Sequence, residues 1–460
     1  MRIVIFNEFA FLFVFLPTVL ALFFMPGMRR WRAFTLIAAS LVFYGISGIE
    51  HALILSVDVL WVYFLVTRPG FRESRVLLVA AVAPPALALG YYKYLGFLLG
   101  SFIDLNDPQN LEQFSLFANV LLPAGISFFT FQVIAFAVDR YRGDIKDIPS
   151  LSHFATYIML FPQLVAGPIL RYRDIAAPLR RLEHFRLDGQ HAARAVGYIC
   201  LGLAVKVLIA DTLSHNLTDY RGDPGHLSQL TALYTVYSYS FQIYFDFYGY
   251  SLIAIGLGAL FGFSFPQNFK RPYNALNPRE FWRHWHITLS LWIRDYLYIP
   301  LGGNKAYIRN IFIVMAICGL WHGAGWTFVV WGLYHACLVA AYHYGNAAWD
   351  RLPAFLQLAL TFSLVSLGWT LFMFDFNGIQ NFFSSLAGSV DVLQPDPDVG
   401  MWIGLAAAAA VAFGLHLEPL AENRASVPWK AATINFGFSL LFIAVLLFLD
   451  RSETFIYFRF

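Results

Sequence analysis

Three places in this 460-residue chain set titratable side chains among apolar ones. The first is Gly319-Leu-Trp-His-Gly-Ala-Gly-Trp326, where His322 interrupts a long apolar stretch and the glycines permit close backbone approach. The second runs from Asn268 to Lys305. Past Pro278 its spacing predicts one amphipathic helix with two stripes: Trp282, Trp285, Leu289, Trp292 and Tyr296 on one face, Arg283, His286, Ser290 and Arg294 on another. A plain interfacial helix would also set Trp beside Arg, but it gives no reason for a histidine within the polar stripe. The third lies in 229–263, where Ser238, Gln242, Asp246 and Tyr250 recur every fourth residue on an aromatic helix. That row reads equally as an interhelical hydrogen-bond seam or as part of a site. His335 lacks a comparable setting and reads as structural.

The chemistry open to these residues is narrow. No G-x-S-x-G elbow, Walker A loop, H-E-x-x-H or paired-cysteine motif occurs. A buried neutral imidazole can take the proton of a hydroxyl as that hydroxyl attacks a thioester carbonyl, while fixed donors stabilise the oxyanion. A cationic stripe beside it suits an anionic donor such as the phosphates of a coenzyme. The same histidines with Asp246 would equally serve a proton-coupled transporter as a relay. The residues alone leave both readings open.

The elements that must position them are dictated by composition. Hydrophobic residues make up 59% of the chain and charged residues 13%, about half the 25% of soluble proteins; mean hydropathy is +0.60. This excludes a large soluble core and a disordered chain, and the net charge of +3 gives no reason to invoke nucleic acid. Apolar stretches at 6–27, 31–47, 51–67, 75–103, 116–138, 192–210, 229–263, 308–322, 325–345, 354–373, 401–416 and 431–449 predict ten to twelve crossings. Segment 229–263 is long enough to tilt strongly or break. Cys200, Cys318 and Cys337 read as small buried hydrophobes rather than a disulfide framework, and the N-terminus carries no cleavable-signal pattern.

Charge sorts the loops. Arg29, Arg30 and Arg32, then Arg68, Arg72 and Arg75, then Arg140, Arg142 and Lys146, and the stretches 171–194 and 270–305, are basic. Residues 104–113 and 374–400 hold acidic residues and neither Lys nor Arg. The positive-inside rule puts the first set in the cytoplasm and the second outside. Segment 151–169 is then apolar with both flanks on the cytoplasmic side, and Pro162 and Gly167-Pro168 interrupt it. A re-entrant hairpin lining an internal cavity fits it better than a span.

Several stretches, in order, resemble the membrane-bound O-acyltransferase family, in its bacterial branch that O-acetylates polysaccharides. They are Phe11-Leu-Phe-Val-Phe-Leu-Pro17, Tyr91-Tyr-Lys-Tyr94, Leu122-Pro-Ala-Gly-Ile-Ser-Phe-Phe-Thr-Phe-Gln132 and Phe161-Pro-Gln-Leu-Val-Ala-Gly-Pro-Ile169. Tyr244-Phe-Asp-Phe-Tyr-Gly-Tyr-Ser251, Phe281-Trp-Arg-His-Trp-His286, Arg294-Asp-Tyr-Leu-Tyr-Ile-Pro-Leu-Gly-Gly-Asn304 and Gly319-Leu-Trp-His-Gly323 follow. The resemblance implies an all-α polytopic membrane protein whose helices and re-entrant segments surround a tunnel. It implies one integral domain over 1–460, with a core at 5–345 and further C-terminal transmembrane helices at 346–460, from which no functional residue is carried over. It implies His322 as the catalytic histidine and His286 as its partner. Where the family usually has Arg this chain has His284, which leaves the roles of His284 and His286 to be separated. Arg283 and Arg294 are candidates for the donor's phosphates; Asp246, Gln242, Trp321 and Ser290 would hold the site from behind. The expected reaction moves acetyl from a cytoplasmic donor, acetyl-CoA, toward an exported polysaccharide, with no permanently bound cofactor and no metal. The expected setting is the bacterial inner membrane, with a periplasmic hydrolase-fold acetyltransferase and the polysaccharide export machinery as partners. A transporter, or acylation of a lipid, a protein or teichoic acid, is the alternative.

Overall fold

A computed structural model of the chain describes residues 6–103, 122–164, 167–415, 417, 428–451 and 453–456. Among these every regular element is a helix. The expected acidic loop at 104–113 lies outside the described residues. The chain forms two compact units, Met1–Ala195 with Ala254–Pro266 and Val196–Ile253 with Gln267–Phe460.

The first unit holds α1 (Leu16–Phe24), α2 (Arg32–Gly45), α3 (Ile49–Val66), α4 (Arg75–Leu89), α5 (Ile126–Arg142) and α6 (Leu151–Met159). Local chemistry sets several starts: Ser74 Oγ accepts the Leu77 N–H at α4, and Ser150 Oγ accepts the His153 N–H at α6. After α6 the chain breaks at Leu160 and makes a single helical turn, Phe161–Leu164. The Tyr157 hydroxyl donates to the Leu170 carbonyl at 2.9 Å, so the two limbs of this segment return beside each other. From α5, Gln132 Nε2 donates to Gln163 Oε1 of this turn at 3.0 Å. An apolar groove of about 710 Å³ opens between α1 and α2, and neither His286 nor His322 lines it.

Arg32 is not a free loop charge as the positive-inside pattern supposes. It is 5% exposed, and its guanidinium donates to the carbonyls of Phe23, Leu182, Glu183 and Phe185 at 2.8–3.3 Å. It thereby ties the end of α1 to the 182–185 turn, so two of the basic stretches lie at one end of this unit. Arg32→Leu keeps the apolar stem and removes every donor, leaving buried carbonyls without partners. We expect a loss of roughly 2–4 kcal/mol, read as a lowered unfolding temperature in detergent; an unchanged melting curve would contradict it.

The second unit carries α7 (Gly189–Ala204), whose first residues belong to the first unit, and α8 (Gln229–Leu260), whose last turns do. It continues with α9 (Pro278–His284), α10 (Ile287–Ile293), α11 (Tyr307–His322), α12 (Trp326–Trp349), α13 (Ala354–Gly368), α14 (Val399–Gly414) and α15 (Pro428–Phe448). Segment 229–263 does not break: α8 is one helix of 32 residues. It crosses α7 in backbone contact, because a Cβ at Gly202 would sit 2.6 Å from the Gly249 carbonyl oxygen and one at Gly249 would sit 2.7 Å from that of Gly202. Small residues at such a crossing let dispersion and backbone dipoles act at short range, which is how helices associate without a hydrophobic drive between them.

Among the described residues five helices are long and apolar enough to cross a membrane: Ile49–Val66, Arg75–Phe102, Gly189–Asn216, Gln229–Leu260 and Ala354–Met373. Phe11–Phe24, Val399–Gly414 and Asn435–Phe448 are apolar but shorter. The chain is a multi-pass helical membrane protein. Its three cysteines are unpaired; Cys200 and Cys318 are buried, whereas Cys337 is exposed, because it falls on the outward face of α12 rather than on the face that buries His335 and Ala336.

Candidate active site

Asn277 caps α9 by accepting the Glu280 N–H at 2.8 Å, and Glu280 Oε2 accepts the Leu276 N–H in return, with Pro278 in the first turn. The expected single helix past Pro278 then fails to continue. It breaks at Trp285-His286 into α9 and α10, and His286 takes a left-handed backbone with φ +42°. The cause is the preceding segment, which supplies other partners for the backbone. Lys270 N–H donates to the His284 carbonyl at 3.0 Å, and Ile287 N–H donates to the Asn268 carbonyl at 2.9 Å.

That break takes the predicted polar stripe apart. Arg283 and Arg294 remain exposed, and Arg294 Nε pairs with Asp295 Oδ1 at 2.6 Å. Ser290 is half-buried and its hydroxyl reaches the Trp282 and Trp285 carbonyls, both at 3.4 Å, which ties α10 to α9. His286 turns inward and is 0% exposed. His284 is half-buried, so the two histidines differ in setting. His286 lies outside the five spans, and burial pushes its pKa down to about 3, which keeps the ring neutral near pH 7.

His322 closes the C-terminal end of α11 and is 2% exposed. Its ring lies 6.3 Å from that of His286, centroid to centroid. Trp321 packs edge-on to both, at 5.0 Å from His322 and 5.8 Å from His286. Trp331 and Phe372 wall the His322 side, and Phe247 meets His286 at 4.7 Å. The glycines around His322 have a plain steric role. A Cβ at Gly319 would overlap the Phe328 carbonyl, one at Gly332 the Met315 carbonyl, and one at Gly323 the Phe328 ring. Thus α11 and α12 meet backbone to backbone directly beside the histidine. His335 stands on the far side of Trp331, at 4.8 Å, and is fully buried among aromatic rings.

Asp246 and Gln242 are buried on α8, as their stripe implies, but Asp246 has a partner that the sequence reading missed. The α7 backbone loosens into a π-turn, Val205–Asp211, which brings residues five apart into register. Lys206 Nζ then reaches Asp211 Oδ1 at 2.5 Å and Asp246 Oδ1 at 2.7 Å. The Ile456 N–H donates to the other Asp246 oxygen at 2.6 Å, and the Phe455 ring packs on Phe247 and Tyr250 at 5.7 and 4.4 Å. The signal for Lys206 was present: an ionisable residue inside an expected span needs a partner. Phe372 and Phe455 carried no such signal. Among the described residues no group of three or more His, Cys, Asp or Glu is placed to hold a metal ion.

The arrangement is a pair of buried imidazoles in an aromatic chamber. Comparison with known proteins gives it a context. Residues 95–350 match the membrane-bound O-acyltransferase family. The chain is 37% identical over 378 residues to the "Probable alginate O-acetylase AlgI" of Pseudomonas aeruginosa, covering 80% of this chain and 72% of that protein. It is 35% identical over 412 residues to the peptidoglycan O-acetyltransferase of Helicobacter pylori, with 80% and 77% covered. It is 28% identical over 273 residues to the teichoic acid D-alanyltransferase of Bacillus subtilis, with 55% and 69% covered. The matched region carries both histidines and most of the aromatic residues around them, and the chain belongs to the membrane-bound O-acyltransferase family as an O-acyltransferase.

Proposed function

We propose that the protein moves an acetyl group from cytoplasmic acetyl-CoA toward a polysaccharide outside the cytoplasm. The observation that carries this is the facing pair of buried histidines, His286 and His322, in a chain similar to alginate and peptidoglycan O-acetyltransferases. His322 acts as general base on the acceptor hydroxyl. As the proton passes to the imidazole, the oxygen bonds to the thioester carbonyl carbon, the C–S bond breaks, and the thiolate recovers the proton. His286 handles the proton or orients the donor. Both rings are shut away from water, which keeps the thioester from hydrolysis, and burial holds the His286 ring neutral.

Arg283 and Arg294 receive the donor's phosphates from their exposed positions; for Arg294 this means exchanging Asp295 for phosphate. Asp246, Gln242, Trp321 and Ser290 hold the site from behind. The chain is one integral membrane domain of ten to twelve crossings, with re-entrant segments around an internal tunnel. It works in the bacterial inner membrane beside a periplasmic hydrolase-fold partner and the polysaccharide export machinery.

Inverted membrane vesicles supplied with acetyl-labelled acetyl-CoA test this. Base-labile label on polymer inside the vesicles is the expected result. Label extracted with lipid or retained on polypeptide would replace the acceptor, and solute flux without acyl turnover would favour transport instead.

A further inference from the structure

His286 is held by a side chain to which neither the motifs nor the family resemblance gave a role. Its Nδ1 lies 3.0 Å from Asn268 Oδ1. The same Oδ1 faces the Thr288 backbone N–H at 3.3 Å and the Thr288 hydroxyl at 2.8 Å. A backbone N–H can only donate, so the Asn268 atom in front of it is the amide oxygen and not the nitrogen. The amide nitrogen is accounted for on the other side, where it reaches the Ser251 hydroxyl at 3.4 Å. An amide oxygen can only accept. The imidazole nitrogen opposite it must therefore carry the proton, and the neutral ring then has its lone pair on Nε2.

Everything around the pair fixes that choice. Asn268 is 1% exposed and His286 0% exposed, so water cannot substitute for either partner. The backbone of Asn268 also accepts the Ile287 N–H, which pins the left-handed turn at His286 from the same residue. Nε2 has no hydrogen-bond partner among the described residues, a rare state for a buried polar atom and one expected where a reactant group is to be received. The rings packed on His286 are Phe247, Phe269, Trp321 and His322; of these His322 alone is a titratable side chain.

We propose that Asn268 is a positioning residue: its side-chain carbonyl fixes His286 as the Nδ1–H tautomer and leaves Nε2 as a proton-accepting atom in the transfer. The inference deepens the proposed function and rests on His286 taking part in the reaction. It also settles what His286 does there. A ring held in this tautomer accepts a hydrogen bond at Nε2 and cannot donate one to the oxyanion.

Two substitutions separate this role from simple support of the turn, with acetyl-CoA turnover followed by thiol release in membranes. Asn268→Leu is close in shape and has no acceptor; kcat is expected to fall on the order of 100-fold with KM unchanged. Asn268→Asp keeps an acceptor for all three donors and places a negative charge on the Nδ1–H. That charge favours the imidazolium, so the neutral ring forms only at higher pH, and the acid limb of the kcat profile is expected to move up by about 1–3 pH units. A residue that only braced the turn would leave that limb in place in Asn268→Asp, and this result overturns the proposal. So does an undiminished kcat in Asn268→Leu while His286→Ala is inactive. Full turnover by His286→Ala would instead remove the underlying assignment of His286. Should Asn268→Leu fail to accumulate, the Asn268→Asp profile alone decides.

Discussion

His322→Gln is expected to reduce acetyl transfer by at least about 100-fold, within the 10²–10⁴ range typical of a general base, while the protein accumulates in the membrane at its normal level. Glutamine has a similar reach and is neutral, so it spares the aromatic chamber of Trp321, Trp331 and Phe372 from collapse. What it lacks is a nitrogen that can take a proton near pH 7. If His286 and His322 act on one proton path, their losses do not add, and His286→Ala with His322→Gln falls little below the worse single variant. The polymer-bound acetate of cells producing each variant gives the readout. Unchanged acetylation in His322→Gln at normal protein level would end the catalytic assignment.

How far the sequence led depends on what each residue has to do. Burial of His322 and Asp246 was legible because charge is scarce in this chain, and an ionisable side chain amid apolar ones announces a partner or a cavity. The close approaches at Gly319, to the Phe328 carbonyl, and at Gly323, to the Phe328 ring, were legible from the glycines themselves. The fate of 278–296 was not. Its periodicity is that of one helix, and nothing within the segment says that Asn268 and Lys270 will exchange hydrogen bonds with His284 and Ile287 and break it there. A pattern read along one segment cannot see a competing partner from another. That miss mattered most at His286, which the helical reading placed on one polar stripe with Arg283 and Arg294 and which the fold separates from them and buries. The C-terminal part was also undervalued. With no motif to mark them, Phe372 and Phe455 still supply walls against His322 and Phe247.

Lys206→Met is expected to prevent accumulation of folded protein, whereas Asp246→Asn is expected to be tolerated. The side chains of Lys206, Asp211 and Asp246 are 1%, 5% and 4% exposed, so their charges face one another rather than water. One ammonium between two carboxylates leaves this cluster at most one charge negative. Methionine matches the lysine stem but strands both carboxylates, and breaking a buried pair in this way costs about 3–5 kcal/mol, a large share of a typical protein's stability. Asparagine at 246 instead brings the cluster to neutrality. It keeps an oxygen for the Lys206 ammonium or the Ile456 N–H, so the tail segment retains its acceptor. The decisive case is the triple variant Lys206→Met, Asp211→Asn, Asp246→Asn, which removes every charge at nearly constant volume. Fluorescence-detected gel filtration of the four proteins orders them. Recovery of a monodisperse peak in the triple variant, with none in Lys206→Met, assigns the cluster's weight to charge balance. A triple variant as poor as Lys206→Met would show that the lysine itself, and not the balance it provides, holds α7 to α8.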